Sequence, residues 1–409
     1  MALIDPFAVL DSQSPPGIVH GRGAVGNVRH RFQQTDREGV DDGWPSSGLP
    51  AKNPDSLDIK ASGSLEGTQS KQHNPVSTEM APVRLKTTVT VEQARKLLSH
   101  NESPDIPFDQ AVNPYRGCEH GCVYCYARPT HAYLGYSPGL DFETRLVAKA
   151  NAVQALRAEL ARPGYRVSPI NIGSATDAYQ PIEREWRLTR GLLELMLETR
   201  HPLIIVTKNA LVERDLDILR ALAEQNLVTV YVSVTTLDAD MARTLEPRAS
   251  APWRRLQAVR TLAQASVPTG VLVAPIIPFI NDESMESILR EARGAGAYYA
   301  SYTVLRLPWE VKAVFEEWLA THFPDRAQRV LHRIEDLRNG RRNDPGFGSR
   351  MRGTGIWADL LRQRFELTAR KLGLNRHRLE LDMHRFVRPA SLKTSVSMTT
   401  GQLSLFDSP

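Results

Sequence analysis

Between about residue 109 and residue 321 the chain alternates short apolar runs with longer stretches of helical period, six times in succession. The runs at 111–115, 169–173, 203–206, 228–234, 269–274 and 297–304 predict strands. The stretches at 143–160, 185–199, 213–224, 252–265, 282–293 and 309–321 predict helices. Spacing of the kind shown by Leu146, Ala150, Val153, Leu156 and Leu160 puts apolar side chains on one helix face. Six strand–helix units in a row predict an α/β fold, a partial (β/α)6 TIM-type barrel whose parallel sheet is covered by helices. On such sheets the reactive groups sit in the loops at the carboxyl ends of the strands.

The sequence outside the barrel has another character. Residues 1–85 read as a mostly disordered N-terminal region, and 45–82 is rich in Ser, Pro, Gly, Asn, Gln and Lys without any period. Within it, 21–44 is more definite, and either docks on the main domain or stays solvated like its neighbours. Residues 87–92 alternate as a strand would. The barrel is expected over 86–322, a basic helical extension over 323–390, and a flexible tail over 391–409. Helices are expected at 326–339 and 356–372, around a Gly/Arg-rich loop at 340–355. From 326 to 390 there are 16 Lys and Arg against 7 Asp and Glu, while the whole chain is only +5. A basic segment beside a catalytic domain fits a polyanion, and equally fits a solvated helical surface. With 41% hydrophobic and 24% charged residues the composition is that of a soluble globular protein. No apolar stretch has membrane-spanning length, and the first residues lack a signal peptide's basic and apolar regions. A reducing, cytoplasmic location is expected.

The three cysteines of the chain, Cys118, Cys122 and Cys125, form one C-x-x-x-C-x-x-C segment beside Gly117 and Gly121. Three thiolates can hold three irons of a cubane cluster and leave the fourth iron without a protein ligand, open to a small molecule. Three other readings compete. A zinc site would use His120 or His131 as a fourth ligand, but the paired spacing usual for zinc is absent. Disulfides need an even number and an oxidising compartment. Core cysteines do not gather between glycines.

The cysteine spacing resembles the signature of radical S-adenosylmethionine (SAM) enzymes. In that superfamily SAM chelates the open iron of a [4Fe–4S] cluster, and one electron splits it to a 5′-deoxyadenosyl radical. Tyr124-Cys125-Tyr126 and the string 176–183 resemble the branch related to spore photoproduct lyase, an enzyme that repairs a thymine dimer in DNA. The strings at 113–122, 129–135 and 137–144 are more similar still to an uncharacterised bacterial family of that branch. The resemblance covers roughly 87–389. It implies SAM contacts at Ser174, Lys208 and Ser233, and an unidentified one-electron donor as partner. Asp177 and Glu183 line the same mouth and could bind ribose hydroxyls or substrate. Alternatively Asp177 closes an Asx turn and Glu183 caps the next helix. One departure stands out. Where spore photoproduct lyase has a hydrogen-donating cysteine just before the serine matching Ser174, this chain has Gly173. Tyr124 and Tyr126 remain as relay groups or as packing under the cluster.

Near the last residues, Gln402-Leu403-Ser404-Leu405-Phe406 resembles the peptide by which bacterial DNA enzymes dock on the replicative sliding clamp. Its rival reading is a latch folded onto the body. Arg341, Arg342, Arg350 and Arg352 flank Gly346, Gly348 and Gly353, a composition suited to phosphate contacts or to a solvated loop. Together these features predict a radical SAM enzyme that repairs or modifies DNA bases. The alternatives are radical modification of RNA or protein, and a non-catalytic iron–sulfur redox sensor or clamp-binding adaptor.

Overall fold

The computed structural model describes residues 19, 21–33, 85–377 and 380–390. Ten strands and twelve α-helices are assigned among them. The strands are β1 (Thr88–Glu92), β2 (Leu98–His100), β3 (Gln110–Val112), β4 (Tyr115–Arg116), β5 (Arg145–Lys149), β6 (Ile170–Ile172), β7 (Leu203–Thr207), β8 (Val228–Ser233), β9 (Thr269–Ile276) and β10 (Tyr299–Val304). The helices are α1 (Leu140–Thr144), α2 (Ala152–Leu160), α3 (Glu183–Trp186), α4 (Leu188–Thr199), α5 (Leu216–Ala223), α6 (Ala239–Leu245), α7 (Pro252–Gln264), α8 (Met285–Gly294), α9 (Val311–His322), α10 (Pro324–Asp336), α11 (Ser349–Arg352) and α12 (Gly355–Leu372).

The main sheet runs β10-β9-β8-β7-β6-β3-β2. Every neighbour from β3 to β10 is parallel, and β2 adds antiparallel to β3. Six parallel strands in chain order, with a helix after each from β6 onward, make the expected open arc. Strands β6 and β8 are buried nearly throughout, which is why they read as continuous apolar runs rather than alternations. The helices bury one stripe each. In α8 it is Met285, Ile288, Leu289 and Ala292, the i, i+3, i+4, i+7 pattern of a surface helix. Pro252 opens α7 at a position that needs no amide donor. Asp238 caps α6 by accepting from the amides of Asp240 and Met241.

Two predicted elements are corrected, the first being the strand at 111–115, which divides between β3 of the main sheet and β4 of another. The second, the stretch 143–160, is not one helix. Its first part finishes α1, 145–149 is strand β5, and only Ala152–Leu160 is helical. Leu146 and Ala148 are fully buried in a second sheet of order β1-β5-β4. The strand that recruits them, β1, lies more than 50 residues upstream, with Thr88 opposite Arg145. Tertiary pairing overrode a helical period that Leu146 and Ala150 met by coincidence.

Residues 21–33 are placed, although they fall in a region expected to be mostly disordered. Residues 21–32 belong to the same compact unit as the barrel, so they dock. The helical extension also belongs to the body. Leu361, Phe365 and Ala369 of α12 join the main core, and Arg364 forks onto Glu286 of α8. The peptide Gln402–Phe406 lies outside the described residues.

Candidate active site

The three cysteines occupy the loop after β3, at the carboxyl end of the parallel strands, where the fold concentrates reactive groups. Two glycines shape that loop. Gly117 has φ +74°, and a Cβ there would lie 2.7 Å from Leu146 Cδ2 and 2.8 Å from Phe142 O. Gly121 has φ +68°, and its Cβ would meet Glu143 Oε2 at 2.7 Å. Both positions therefore require glycine for conformation and for space.

The loop is held from two sides by buried ion pairs. On one side Arg128 is fully buried. It donates to Cys122 O (2.8 Å) and to the carbonyls of Pro138 and Gly139 (2.9 Å each), and pairs with Glu143 at 2.5 Å. On the other side the Tyr124 hydroxyl donates to Glu246, which also pairs with Arg255. Thr235 donates to the same Glu246 oxygen at 2.5 Å, and Arg255 reaches Ser233 O at 3.0 Å. Buried charges are tolerated because each has a counter-charge and further hydrogen bonds. Arg128, Glu143, Glu246 and Arg255 were not singled out in the sequence. Their only signal is charge embedded in apolar or glycine-containing strings.

Cys118 and Cys122 are buried and Cys125 is half-buried, and all three are free thiols. Burial, and then the negative charge of Asp177 and Cys122, pushes the Cys118 thiol well up. Burial likewise takes Cys122 to about 12, against the pull of Lys208. Thiols in such surroundings need a cation to ionise them.

The predicted site residues divide into two groups. Lys208 follows β7 at the same mouth, and its Nζ lies 5.9 Å from the Tyr124 ring centroid. Among the described residues its ammonium has no hydrogen-bond or ion-pair partner. Burial lowers its pKa, but Cys122, Glu246 and Asp177 together outweigh that and raise it. Ser174, after β6, accepts from Asn113 Nδ2 at 3.1 Å, and the same side chain's oxygen takes the Ala175 amide at 2.8 Å. Tyr126 is 51% exposed, and its hydroxyl donates to Ser174 O. Tyr126 and Ser174 touch one another, while Ser174 and Lys208 are half-buried.

The others are committed to structure. Asp177 accepts from the Tyr179 amide (2.8 Å), the Thr207 hydroxyl (2.7 Å) and the Lys208 amide (2.7 Å), so it closes an Asx turn and fixes the β7 loop. Burial opposes its charge. His120 at 3.3 Å and those donors overcome it, holding the carboxyl well below the usual range. Glu183 is fully buried between the Tyr115 hydroxyl, Arg214 (2.7 Å) and the Thr189 amide at the start of α4 (3.1 Å). The Ser233 hydroxyl donates to Ala274 O at 3.2 Å.

Of the four predicted phosphate contacts, Arg341 is exposed. Arg342 bridges Glu316 and Glu335. Arg350 forks onto Asp105 at 2.7 and 2.5 Å. Arg352 lies 3.8 Å from the Tyr302 ring centroid. The structure adds Arg306, just past β10, whose guanidinium sits 5.8 Å from the Tyr126 ring. Among the described residues neither Arg306 nor Arg352 pairs with a carboxylate. Each keeps one solvent-shielded nitrogen without a partner, Nε of Arg306 and Nη1 of Arg352.

Residues 112–292 match the Radical SAM superfamily model. The chain is 37% identical over 226 residues to uncharacterized proteins of Mycobacterium tuberculosis and Mycobacterium bovis, covering 55% of itself and 66% of each relative. It thus spans just under two thirds of their length. It is 26% identical over 234 residues to an uncharacterized protein of Methanocaldococcus jannaschii, covering 57% of itself and 83% of that protein. Among solved structures it is similar to spore photoproduct lyase complexed with dinucleoside spore photoproduct, at 20% identity and a TM-score of 0.49, covering 70% and 80% of the two chains.

The radical SAM superfamily uses a [4Fe–4S] cluster and SAM, and the residues present fit that pair. The three thiols share one loop. Cys125 packs against the neighbours of both Cys118 and Cys122, and Lys208 lies at the same mouth with its Nζ over the Tyr124 ring. Among the described residues no three His, Cys, Asp or Glu side chains close on a single metal ion. A cubane asks for something else, three thiolates on three separate corners. Residues 112–292, with their cysteine loop at the mouth of a parallel (β/α)6 arc, match the Radical SAM superfamily model in sequence and carry the three cysteines where that chemistry needs them.

Proposed function

We propose that the chain is a radical SAM enzyme that repairs or modifies nucleobases of DNA. The observation that carries the nucleic-acid part is the pair Arg306 and Arg352. Arg306 follows the last barrel strand and lies over Tyr126, Arg352 of α11 lies over Tyr302 within that strand, and among the described residues neither has a carboxylate. A half-buried guanidinium without a counter-ion is a place for a phosphate. Cys118, Cys122 and Cys125 hold the cluster, and Lys208 takes the carboxylate of SAM. When bound, cluster and SAM supply a 5′-deoxyadenosyl radical. Ser174 and Asn113 shape the wall on which SAM lies. Asp177 acts indirectly, by fixing the loop that carries Lys208. Tyr126 is the accessible phenol beside the third cysteine, and with Gly173 in place of a thiol it is the group placed to return hydrogen to a product radical. Tyr124 and Glu183, both buried and hydrogen-bonded, hold structure. Ser233, whose hydroxyl donates to Ala274 O, would contact SAM as an acceptor. Arg341 is the further phosphate contact. Arg342 and Arg350 join only by exchanging their carboxylates.

The reaction needs an external one-electron donor and a reducing cytoplasm. Among the described residues no helix is long and apolar enough to cross a membrane. The peptide Gln402, Leu403, Ser404, Leu405 and Phe406 would bring the enzyme to DNA through the sliding clamp. The test is anaerobic: reconstituted, reduced protein with SAM should yield 5′-deoxyadenosine, and a deuterated DNA substrate should pass its label to that product. Cleavage of SAM with label transfer only from RNA or peptide would move the substrate to those classes. A stable cluster with no SAM cleavage would leave a redox sensor or clamp adaptor. Arg306→Gln should reduce the salt dependence of DNA binding, because each phosphate contact contributes about one unit of slope.

A further inference from the structure

The segment 21–32 spans two parts of the barrel that the sheet leaves apart. Strands β3 and β10 begin and end the parallel arc and do not pair with each other. At one end of the segment, Gly23 and Ala24 donate their amides to the two carboxylate oxygens of Glu143, at 2.9 Å each. Arg22 donates to Glu143 O at 2.8 Å. A Cβ on Gly23 would sit 1.7 Å from Gly121 O, inside the cysteine loop. In the middle, Asn27 exchanges hydrogen bonds with Asp141 (3.0 and 3.2 Å), and Ser137 donates to Val28 O at 2.7 Å. Ala24 and Val28 pack with Leu140 from the first side and Val314 of α9 from the last. At the far end, Arg31 binds Glu310 through its amide and its guanidinium (3.0 and 2.8 Å). That guanidinium lies among the rings of Phe32, Tyr133 and Trp309, at 4.7, 5.3 and 4.6 Å from their centroids. Trp309 has φ +47°, a conformation that a bulky residue keeps only when its surroundings impose it.

We propose that residues 21–32 are the clasp of the open arc. They tie the loops after the first strand to the loop after the last, and they form the outer wall of the cysteine loop. A cluster held there is retained and shielded from oxygen only while the clasp is closed. The proposal rests on the reading of the cysteine loop as a cluster site. The physical case is that the clasp satisfies both oxygens of Glu143, the counter-ion of Arg128, which in turn holds Cys122 O. Opening the clasp would strip hydrogen bonds from a fully buried carboxylate and expose the loop backbone.

The test uses the full chain with Gly23→Ala and Arg31→Gln. Gly164→Ala is the control, since a Cβ at Gly164 meets nothing within 4 Å. Two measurements are made: amide hydrogen exchange over residues 117–125 in the iron-free protein, and the rate at which reconstituted protein loses cluster absorbance in air. Both clasp variants should raise both rates at least about tenfold over the control, the factor expected when local opening is eased by about 1.4 kcal/mol. Should Gly23→Ala fail to fold, Arg31→Gln decides, because it touches no part of the cysteine loop. If both variants match Gly164→Ala in exchange and bleaching, the clasp is refuted. If the unaltered protein takes up no iron, the cluster reading fails, and exchange at 117–125 still decides the clasp.

Discussion

Glu143 is the carboxylate on which the cysteine loop depends. It is fully buried, pairs with Arg128, and accepts two backbone amides from Gly23 and Ala24. Glu143→Gln keeps the shape but leaves the Arg128 cation without its counter-charge. Breaking a buried pair in this way costs about 3–5 kcal/mol. Denaturant titration should show a shift of that size, and a shift below about 1 kcal/mol would mean that Arg128 is neutralised elsewhere. A second residue-scale effect concerns His201, buried behind β7 with its ring between Tyr165 (2.7 Å) and the Pro202 carbonyl (2.9 Å). Burial lowers its pKa from 6.5 to about 4. The unfolded chain therefore binds a proton between those values when the folded chain does not. Stability from this group is complete above about pH 6.5 and falls as the pH drops toward 4, by about 3 kcal/mol in all. His201→Gln should flatten that part of the pH–stability curve. An unchanged slope would show that the folded protein protonates His201 freely.

At the scale of elements, α12 decides whether the C-terminal extension is an appendage or part of the barrel. Phe365 packs 4.9 Å from Tyr302 of β10, and Leu361 beside it is buried. Phe365→Ala should then destabilise the whole domain by about 3–5 kcal/mol, the range for emptying a core aromatic site. If it melts only the extension, seen as two separate thermal transitions, the two parts are independent. The strands β6 to β10 and the helices α4, α5, α7, α8 and α9 were legible in the sequence because each is a local pattern, an apolar run or a stripe at i, i+3, i+4, whereas α6 was not read. So was the cysteine loop, since its spacing lies within eight residues. Strand β5 was not legible, because its partner Thr88–Glu92 is distant in sequence and 143–160 mimics a helix. The clasp was visible only as a string of definite character, Gly21-Arg22-Gly23-Ala24. What the string is for depends on Glu143, more than 100 residues away. Asp177 and Glu183 show the same limit from the other side. Their place at the mouth, and the Asx turn and helix cap as their alternative roles, were readable, but the distant partners Thr207, Tyr115 and Arg214 were not.

For the whole molecule, the open question is what the positive excess of residues 326–390 serves. Much of it is matched within the fold: Arg342 by Glu316 and Glu335, Arg350 by Asp105, Arg364 by Glu286. Arg338 is buried and bonds only to backbone carbonyls, including Leu305 O at 2.7 Å. The net charge of this region therefore overstates what it offers a polyanion, and affinity for DNA would need a second source. On the proposed reading the peptide Gln402–Phe406 would provide one, because a weak contact becomes effective once a tether raises the local concentration of DNA. A chain ending at Gly401 should keep its cluster and its SAM cleavage and lose binding to the sliding clamp. Leu405→Ala with Phe406→Ala should reproduce that loss, since two apolar anchors carry most of such an interface. The sequence before the peptide is rich in Ser and Thr, with Leu392, Val396 and Met398 as its apolar residues. Equal clamp affinity of full-length and shortened chains would refute docking. A lower melting temperature of the shortened chain would show instead that Leu403, Leu405 and Phe406 close back on the body as a latch.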